Sequence, residues 1–403
     1  MCLTKGLRAD MRIKTPSVYG CLAVLLCGHF VILLLFLQTL SISQSEAKIF
    51  FEANTLSSFL SHLSVKLLGQ NDYALRLPFL LLHFCNTLLM FYLSANFLKR
   101  KSDALFATLL FCLLPGVNVA ALFVSNVGIV IFFTLLLCVF EQKYQTIPYW
   151  LLGVIAFVDA SFALLFLALI FYAITRKDTI LLFVVLILFA LNMYLYGLNI
   201  GGYPRGYFLD ANGHLMLIFS PLLYLYFLYT LYRYFNVKTK PLMWYISFCA
   251  LIFIALLSLR QRVQIEAFAP FLLVGIPLMV HLYFSGLRVR LPQFRMRYKI
   301  PFFATFFVLL CVYSTLIFSK PLFRVIPNAN AHFAQRHFIA KELAQALHQN
   351  GITEVRTDEK MQLRLKFYGI QKGGAYLQES PKPEALKLPI LYYGKTIATF
   401  YLQ

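Results

Sequence analysis

A succession of apolar, almost charge-free runs, each long enough to cross a bilayer and separated by short polar stretches, dominates this sequence. About eleven such spans are read at 19–42, 77–97, 104–115, 119–140, 148–158, 161–174, 180–197, 214–232, 241–259, 265–285 and 300–319. A helix needs roughly 20 apolar residues to traverse the hydrocarbon, and most of these runs approach that length. The runs at 104–115, 148–158 and 161–174 are short, which predicts tilting, re-entry or merging. Hydrophobic residues make up 60% of the 403 and charged residues 13%, whereas a soluble domain is nearer half apolar and about a quarter charged. The expected class is an all-α polytopic membrane protein.

The first run, from Tyr19 to Ile42, is too long for a signal-peptide core and is read as a retained helix. Cys21, Cys27, Cys85, Cys112, Cys138, Cys249 and Cys311 lie in or near apolar spans, and Cys2 sits at the N-terminus. No disulfide framework follows from that distribution, and no CxxC or Cys/His metal spacing occurs.

Charge between the spans sets orientation. With the N-terminus cytoplasmic, the inside segments carry eighteen Lys and Arg and the outside loops seven, the remainder lying in the C-terminal tail. The positive-inside rule then predicts a cytoplasmic N-terminus and an extracytoplasmic C-terminus. The formal net charge of +20 is mostly this topology signal meeting anionic headgroups. Its scatter over short loops argues against nucleic acid as a partner.

The sequence divides into a membrane portion, 1–320, and a tail, 321–403, read as a small extracytoplasmic α/β domain. Residues 331–348 have apolar positions at helical spacing, and Asn350-Gly351 supplies a stop. Strand-like runs follow at 353–357, 374–377 and 387–393. The tail has no phosphate-binding glycine loop and no nucleophile–base pattern, which points to an accessory lid.

The first outside loop, Ser43–Leu75, places apolar residues where one or two amphipathic helices would lie in the interface plane. Glu46 and Glu52 fall within it. A carboxylate held at that depth suits a general base toward an acceptor hydroxyl or amine. The simpler reading of Glu46 is a helix cap after Ser43 or Ser45.

The segment Val65–Gly116, with Gly69, Asn71, Ala74, Arg76, Leu77 and Pro78 leading into a helix that ends at Lys99-Arg100-Lys101, resembles the PMT/ArnT-like family of GT-C glycosyltransferases. Trp150–Ile174, Phe219–Phe235, Ser258–Leu278 and Leu363–Ile370 resemble later elements of the same pattern in the same order. The resemblance implies a GT-C fold and transfer of a sugar from a polyprenyl-phosphate donor at the outer membrane face. It carries the catalytic carboxylate over to Glu46, since the family's acidic pair reads Ser45-Glu46 here. Other positions depart: Ala53-Asn54-Thr55 replaces His-Pro-Pro, Val158-Asp159-Ala160 replaces Thr-Lys-Gly, and Val124-Ser125-Asn126-Val127 lacks an expected acid. These departures imply a divergent branch with another substrate, or a member that has lost activity.

Arg260 and Arg262 lie in a short loop on the outside, against the positive-inside tendency. A lipid-linked phosphate would compensate them, because guanidinium offers paired donors matched to phosphate oxygens; snorkelling to headgroups is the alternative. Arg76 and Arg205 are weaker candidates for the same phosphate, with headgroup anchoring the plain reading of Arg76. Asp159 breaks two short helices, and Asp210 lies in the Gly- and Tyr-rich loop Asn199–Gly213; either suits a site or a turn. His62, His214 and Glu52 have no metal-ligand spacing.

The expected function is glycosyl transfer from a polyprenyl-phosphate-linked sugar to lipid A, a glycan or a protein. The setting is the outer face of a bacterial inner membrane, within the cell envelope and facing the periplasm. No cofactor beyond the donor substrate is called for. The alternatives are a lipid-linked sugar flippase or transporter, which would need polar residues lining a path through the spans, and an inactive scaffold of the same fold.

Overall fold

The computed structural model describes residues 17–197, 203, 206–325, 332, 334–380 and 385–403. Six helices are long and apolar enough to cross a membrane alone: α1 (Val18–Leu37), α4 (Asp72–Phe97), α7 (Val127–Tyr144), α10 (Thr179–Tyr196), α13 (Leu242–Arg260) and α16 (Pro292–Ile317). Three bent pairs pass the same test: α5 (Lys101–Leu113) with α6 (Pro115–Leu122), α11 (Phe208–Phe219) with α12 (Pro221–Phe235), and α14 (Ile265–Leu273) with α15 (Ile276–Val289). The described residues therefore give six to nine spans, not about eleven.

The difference has a physical origin. The run read as 119–140 is divided, its first residues belonging to α6 and the rest to α7. The runs read at 148–158 and 161–174 form α8 (Tyr149–Ala156) and α9 (Phe162–Arg176). At 1.5 Å per residue, 8 and 15 residues reach roughly 12 and 22 Å, short of a hydrocarbon core of about 30 Å.

Proline sets the bends. Leu114 is extended before Pro115, and the chain turns there by 64°. Pro221 opens α12 after a turn of 104°, because the residue before a proline is driven out of the helical region. Ser220 absorbs that turn at φ 71°, a left-handed conformation strained for a side chain with Cβ. In the third pair Gly275 opens α15, and a Cβ there would approach Phe227 Cε2 to 2.7 Å. Only glycine lets the bent span approach α12 and α13 so closely.

Between α1 and α4 run two short helices, α2 (Gln44–Phe51) and α3 (Leu56–Leu68), in the loop where amphipathic helices are expected. α3 turns Ser57, Ser58, Ser61 and Ser64 inward and leaves Phe59, Leu63 and Leu67 exposed. This inverted pattern suits a helix packed on a polar cavity wall with its apolar face toward lipid.

After α17 (Ser319–Val325) the tail carries α18 (Arg336–Gln349), β1 (Glu354–Arg356), α19 (Glu359–Phe367), β2 (Gln371–Lys372), β3 (Ala375–Gln378), β4 (Leu386–Tyr392) and β5 (Lys395–Leu402). The sheet order is β2-β1-β3-β5-β4. β1 runs parallel to β2 and β3, and β5 pairs antiparallel with β3 and β4. The β4–β5 hairpin turns on Tyr393-Gly394, both at positive φ, as a two-residue turn that follows strand twist requires.

The tail is stitched to the segment after α1. Arg364 donates to the Ile42 carbonyl at 2.7 Å and the Arg336 carbonyl at 2.6 Å, and Ser41 donates to the His337 carbonyl from its backbone N–H at 2.8 Å. The Tyr368 hydroxyl accepts from the Ile42 N–H at 2.9 Å and donates to Asp72 at 2.7 Å, while Lys341 pairs with Asp72 at 2.8 Å. Ile42, Phe50, Leu75, Phe79 and Phe367 form an apolar cluster under these bonds.

Candidate active site

Two constellations of acids and bases lie at the end of the bundle that carries the tail. The first is sealed. Ser43 caps α2: its side chain accepts from the Glu46 N–H at 3.2 Å, and Glu46 Oε2 accepts from the Ser43 N–H at 2.8 Å. This capping box satisfies two donors that a helix start leaves open. Glu46 also takes a two-pronged bond from Arg76, with Nε on Oε1 and Nη2 on Oε2, each at 2.7 Å. The Val124 N–H donates to Oε1 at 3.1 Å.

Arg76 spends its other donors on the Leu40 and Ser41 carbonyls, each at 2.9 Å. Both side chains are 0% exposed. Burial alone would raise the Glu46 carboxyl's pKa; the Arg76 charge and hydrogen bonds, with the Ser43 and Val124 N–H groups, outweigh it and hold the carboxyl below its ordinary value.

Glu46 is thus saturated with donors and fully buried in this structure, where the sequence offers it both as a base and as a helix cap. Arg76, a weaker candidate for the phosphate with headgroup anchoring as its plain reading, has its guanidinium bonded to Glu46 and to backbone carbonyls. Together they fix the ends of α1, α2 and α4 and the Val124 turn.

The second constellation lines an open cavity of about 670 Å³ between the first loop, the Ser125–Val127 turn, α11 and the start of α14. Asp159, Asp210, His214, Arg262 and Glu266 all reach its wall. Asp159 is half-buried and aimed by two donors: the Ser161 N–H on Oδ1 at 2.8 Å and the Asn126 amide on Oδ2 at 2.7 Å. Asn126 in turn accepts from the Ser57 hydroxyl. Asn192 supports the same turn through the Ala156 and Asp159 carbonyls at 2.9 and 3.2 Å. Each Asp159 oxygen keeps acceptor capacity beyond these single bonds.

Arg262 lies on the loop between α13 and α14, exposed to the cavity, with no ion pair among the described residues. Asp210 is exposed at the start of α11, and its carbonyl contacts His214 Nδ1 at 2.7 Å.

The remaining expectations separate. Arg260 ends α13 and is exposed but lies outside the cavity wall, so the two arginines differ in surroundings. Glu52 is exposed at the end of α2, away from the wall. Arg205 lies outside the described residues. His62 stacks on Phe50 at 4.1 Å and contacts the Phe50 carbonyl at 2.7 Å, so it does not converge with His214 or Glu52.

Sequence reasoning missed Asn126 as a partner of Asp159 and noted only that no acid stands in that turn. The two residues are 33 positions apart, and no local pattern links them.

No family model matches the sequence, and no curated protein matches it. Two solved structures are similar in fold. One is the crystal structure of ArnT from Cupriavidus metallidurans in the apo state, with a TM-score of 0.54, 13% identity and coverage of 87% of this chain and 74% of that one. The other is ArnT from the same organism bound to undecaprenyl phosphate, with a TM-score of 0.53 and the same identity and coverage. At that identity the likeness is one of fold. The chain is a polytopic membrane protein with the GT-C fold.

Proposed function

We propose that this protein transfers a glycosyl group from a polyprenyl-phosphate-linked donor to a lipid, glycan or protein acceptor, at the outer face of a bacterial inner membrane. The observation that carries the reading is the 670 Å³ cavity, lined both by Arg262, which has no ion pair among the described residues, and by a donor-aimed Asp159. The fold shared with a protein that binds undecaprenyl phosphate supports the donor class. The excess of basic residues in the loops read as inside supports the assignment of this face as the outer one. The tail then lies in the periplasm as a unit beginning near residue 321.

In this reading Arg262 holds the donor phosphate. Its fork of N–H groups meets the non-bridging oxygens and grows stronger in effect as charge develops on the leaving phosphate. Asp159 takes the acceptor proton. The acceptor oxygen or nitrogen bonds to the anomeric carbon, the bond from that carbon to the phosphate oxygen breaks, and the polyprenyl phosphate leaves with the electron pair. One displacement inverts the anomeric centre. Asp210, Glu266 and His214 supply polar contacts for sugar hydroxyls. The base passes from Glu46 to Asp159 because Asp159 lines the cavity whereas the Glu46 side chain is fully buried, and Glu46 with Arg76 positions the loop that walls it.

A second cavity of about 620 Å³, lined by Leu222, Tyr226, Tyr283, Phe302 and neighbouring apolar residues, offers a bed for a lipid chain between α5, α12, α15 and α16. Glycolipid and glycoprotein profiles of a deletion strain complemented with wild type or Asp159→Asn test the proposal. The wild type restores one missing glycosyl modification and the variant, inserted at equal level, does not. Restoration by Asp159→Asn removes Asp159 from the chemistry, and an unchanged profile in the deletion strain removes the transferase reading.

A further inference from the structure

Three side chains from three different spans meet inside the helix bundle, away from the cavity described above. His29 on α1, His83 on α4 and Cys112 on α5 place their ligand atoms within 4.8 Å of one another. His29 Nε2 faces His83 Nε2 at 3.0 Å. On its other side, His29 Nδ1 contacts the Tyr313 hydroxyl of α16 at 3.1 Å. The Cys112 thiol lies 4.0 Å from the Thr87 hydroxyl, and the His83 ring stacks on Phe111 with centroids 6.0 Å apart. His83 and Cys112 are buried, while His29 is half-buried and gives the cluster its opening.

We infer that His29, His83 and Cys112 form a three-coordinate site for a monovalent soft metal ion, copper(I). Two imidazole nitrogens and a thiolate are a donor set for thiophilic ions and a poor one for Mg²⁺ or Ca²⁺. With Nδ1 protonated toward the Tyr313 hydroxyl, the His29 Nε2 lone pair is free for a metal, which is how an outer partner orients a histidine ligand.

Charge selects among the soft ions. Binding expels the thiol proton to water, so copper(I) with one thiolate is neutral overall, as the interior of a span demands. Zinc(II) with the same ligands keeps one positive charge, and no carboxylate belongs to the cluster to cancel it. Three ligands also suit copper(I), whereas zinc(II) sites are built on four. The site is independent of the glycosyl-transfer reading.

The test uses the purified full-length protein in detergent, titrated anaerobically with copper(I) against the chromogenic chelator bicinchoninate. One equivalent per chain is withheld from the chelator, and X-ray absorption shows one sulfur and two imidazoles on the metal. Cys112→Ser and His83→Gln each weaken retention at least tenfold. Cys85→Ser, which removes an exposed cysteine from the same helix as His83, leaves it unchanged. Size-exclusion profiles and metal-free melting curves verify that the variants are folded. Should His83→Gln fail to insert, His29→Gln, on the half-buried ligand, asks the same question. No withheld copper, or equal loss in Cys85→Ser, overturns the site. Tighter retention of zinc(II) with the same dependence on Cys112 and His83 overturns the assignment to a monovalent ion.

Discussion

The Glu46–Arg76 pair and the Asp159–Arg262 cavity sit at the same end of the bundle and use the same side-chain chemistry, yet water reaches only one of them. Glu46 and Arg76 satisfy each other with two bonds and turn their remaining capacity to four backbone groups, the Leu40 and Ser41 carbonyls and the Ser43 and Val124 N–H groups. Both side chains are 0% exposed, so neither meets a ligand from solvent. Asp159 is aimed by backbone and amide donors instead of a cation, and Arg262 in its cavity has no ion pair among the described residues. A buried, mutually satisfied ion pair is a fastener, because removing either partner strands a charge in a low-dielectric interior. An acid and a cation held apart across a wet cavity are free to act on something placed between them.

Asp159 gives the largest expected effect. Asp159→Asn keeps the shape of the side chain and its Asn126 partner but cannot take a proton. Transfer falls by about 10²–10⁴-fold with folded yield unchanged, read by product formation against a melting curve. If Glu46 were the acting base instead, Asp159→Asn would retain activity, and the two constellations would exchange roles.

The sealed pair answers in stability. Glu46→Gln leaves the Arg76 charge buried without its carboxylate, a loss of about 3–5 kcal/mol, visible as a collapse of folded yield in detergent. The double change Glu46→Gln with Arg76→Met recovers part of that loss, since no charge is then stranded. Recovery of yield without recovery of loop order, followed by protease sensitivity near α2, separates pairing from positioning.

At the next level the two arginines of the α13–α14 loop divide. Arg262→Ala weakens donor binding by about 10–100-fold, the worth of a hydrogen bond to a charged group. Arg260→Ala, outside the cavity, changes it less than about twofold. Equal effects would mean that headgroup anchoring accounts for both.

The pH dependence follows from the depressed Glu46 carboxyl. Its folded value lies below the ordinary 4.5, so the pair contributes full stability above that pH and loses it as the pH falls through the folded value. Wild type therefore loses melting temperature below about pH 4.5, and Glu46→Gln flattens that part of the curve. The smallest effect belongs to Ser57→Ala. It removes one hydrogen bond to Asn126, about 0.5–1.5 kcal/mol, and loosens the aim of Asp159 by a few-fold in rate.

The apolar spans were legible because a membrane demands continuous apolar length, which composition displays directly. The bends were less so. Leu114-Pro115 and Ser220-Pro221 carry the proline signal, but its angle of 64° or 104° depends on the helices each half packs against. In the tail, the strand-like runs at 374–377 and 387–393 correspond to β3 and β4. β5 and the helix α19 were not read, because neither stands out until its partners on β4 and α2 are present.

Candidate residues were legible as types and not as roles. Both meanings of Glu46, base and cap, were visible in Ser43–Glu46; the cap is present, and the approach of Arg76 from 30 residues away and Val124 from 78, which buries the carboxylate, had no local signal. The His29–His83–Cys112 cluster had no signal at all, its members being separated by whole spans.

The membrane class and the stock of charged groups between apolar runs follow from the sequence, since both rest on transfer between water and hydrocarbon, whereas the number of spans needed the bends and short helices of the fold. The tertiary structure alone decided which charges meet and which stay wet. Pairing energy and desolvation depend on distances of a few ångströms between segments far apart in the chain, and no local spacing encodes them.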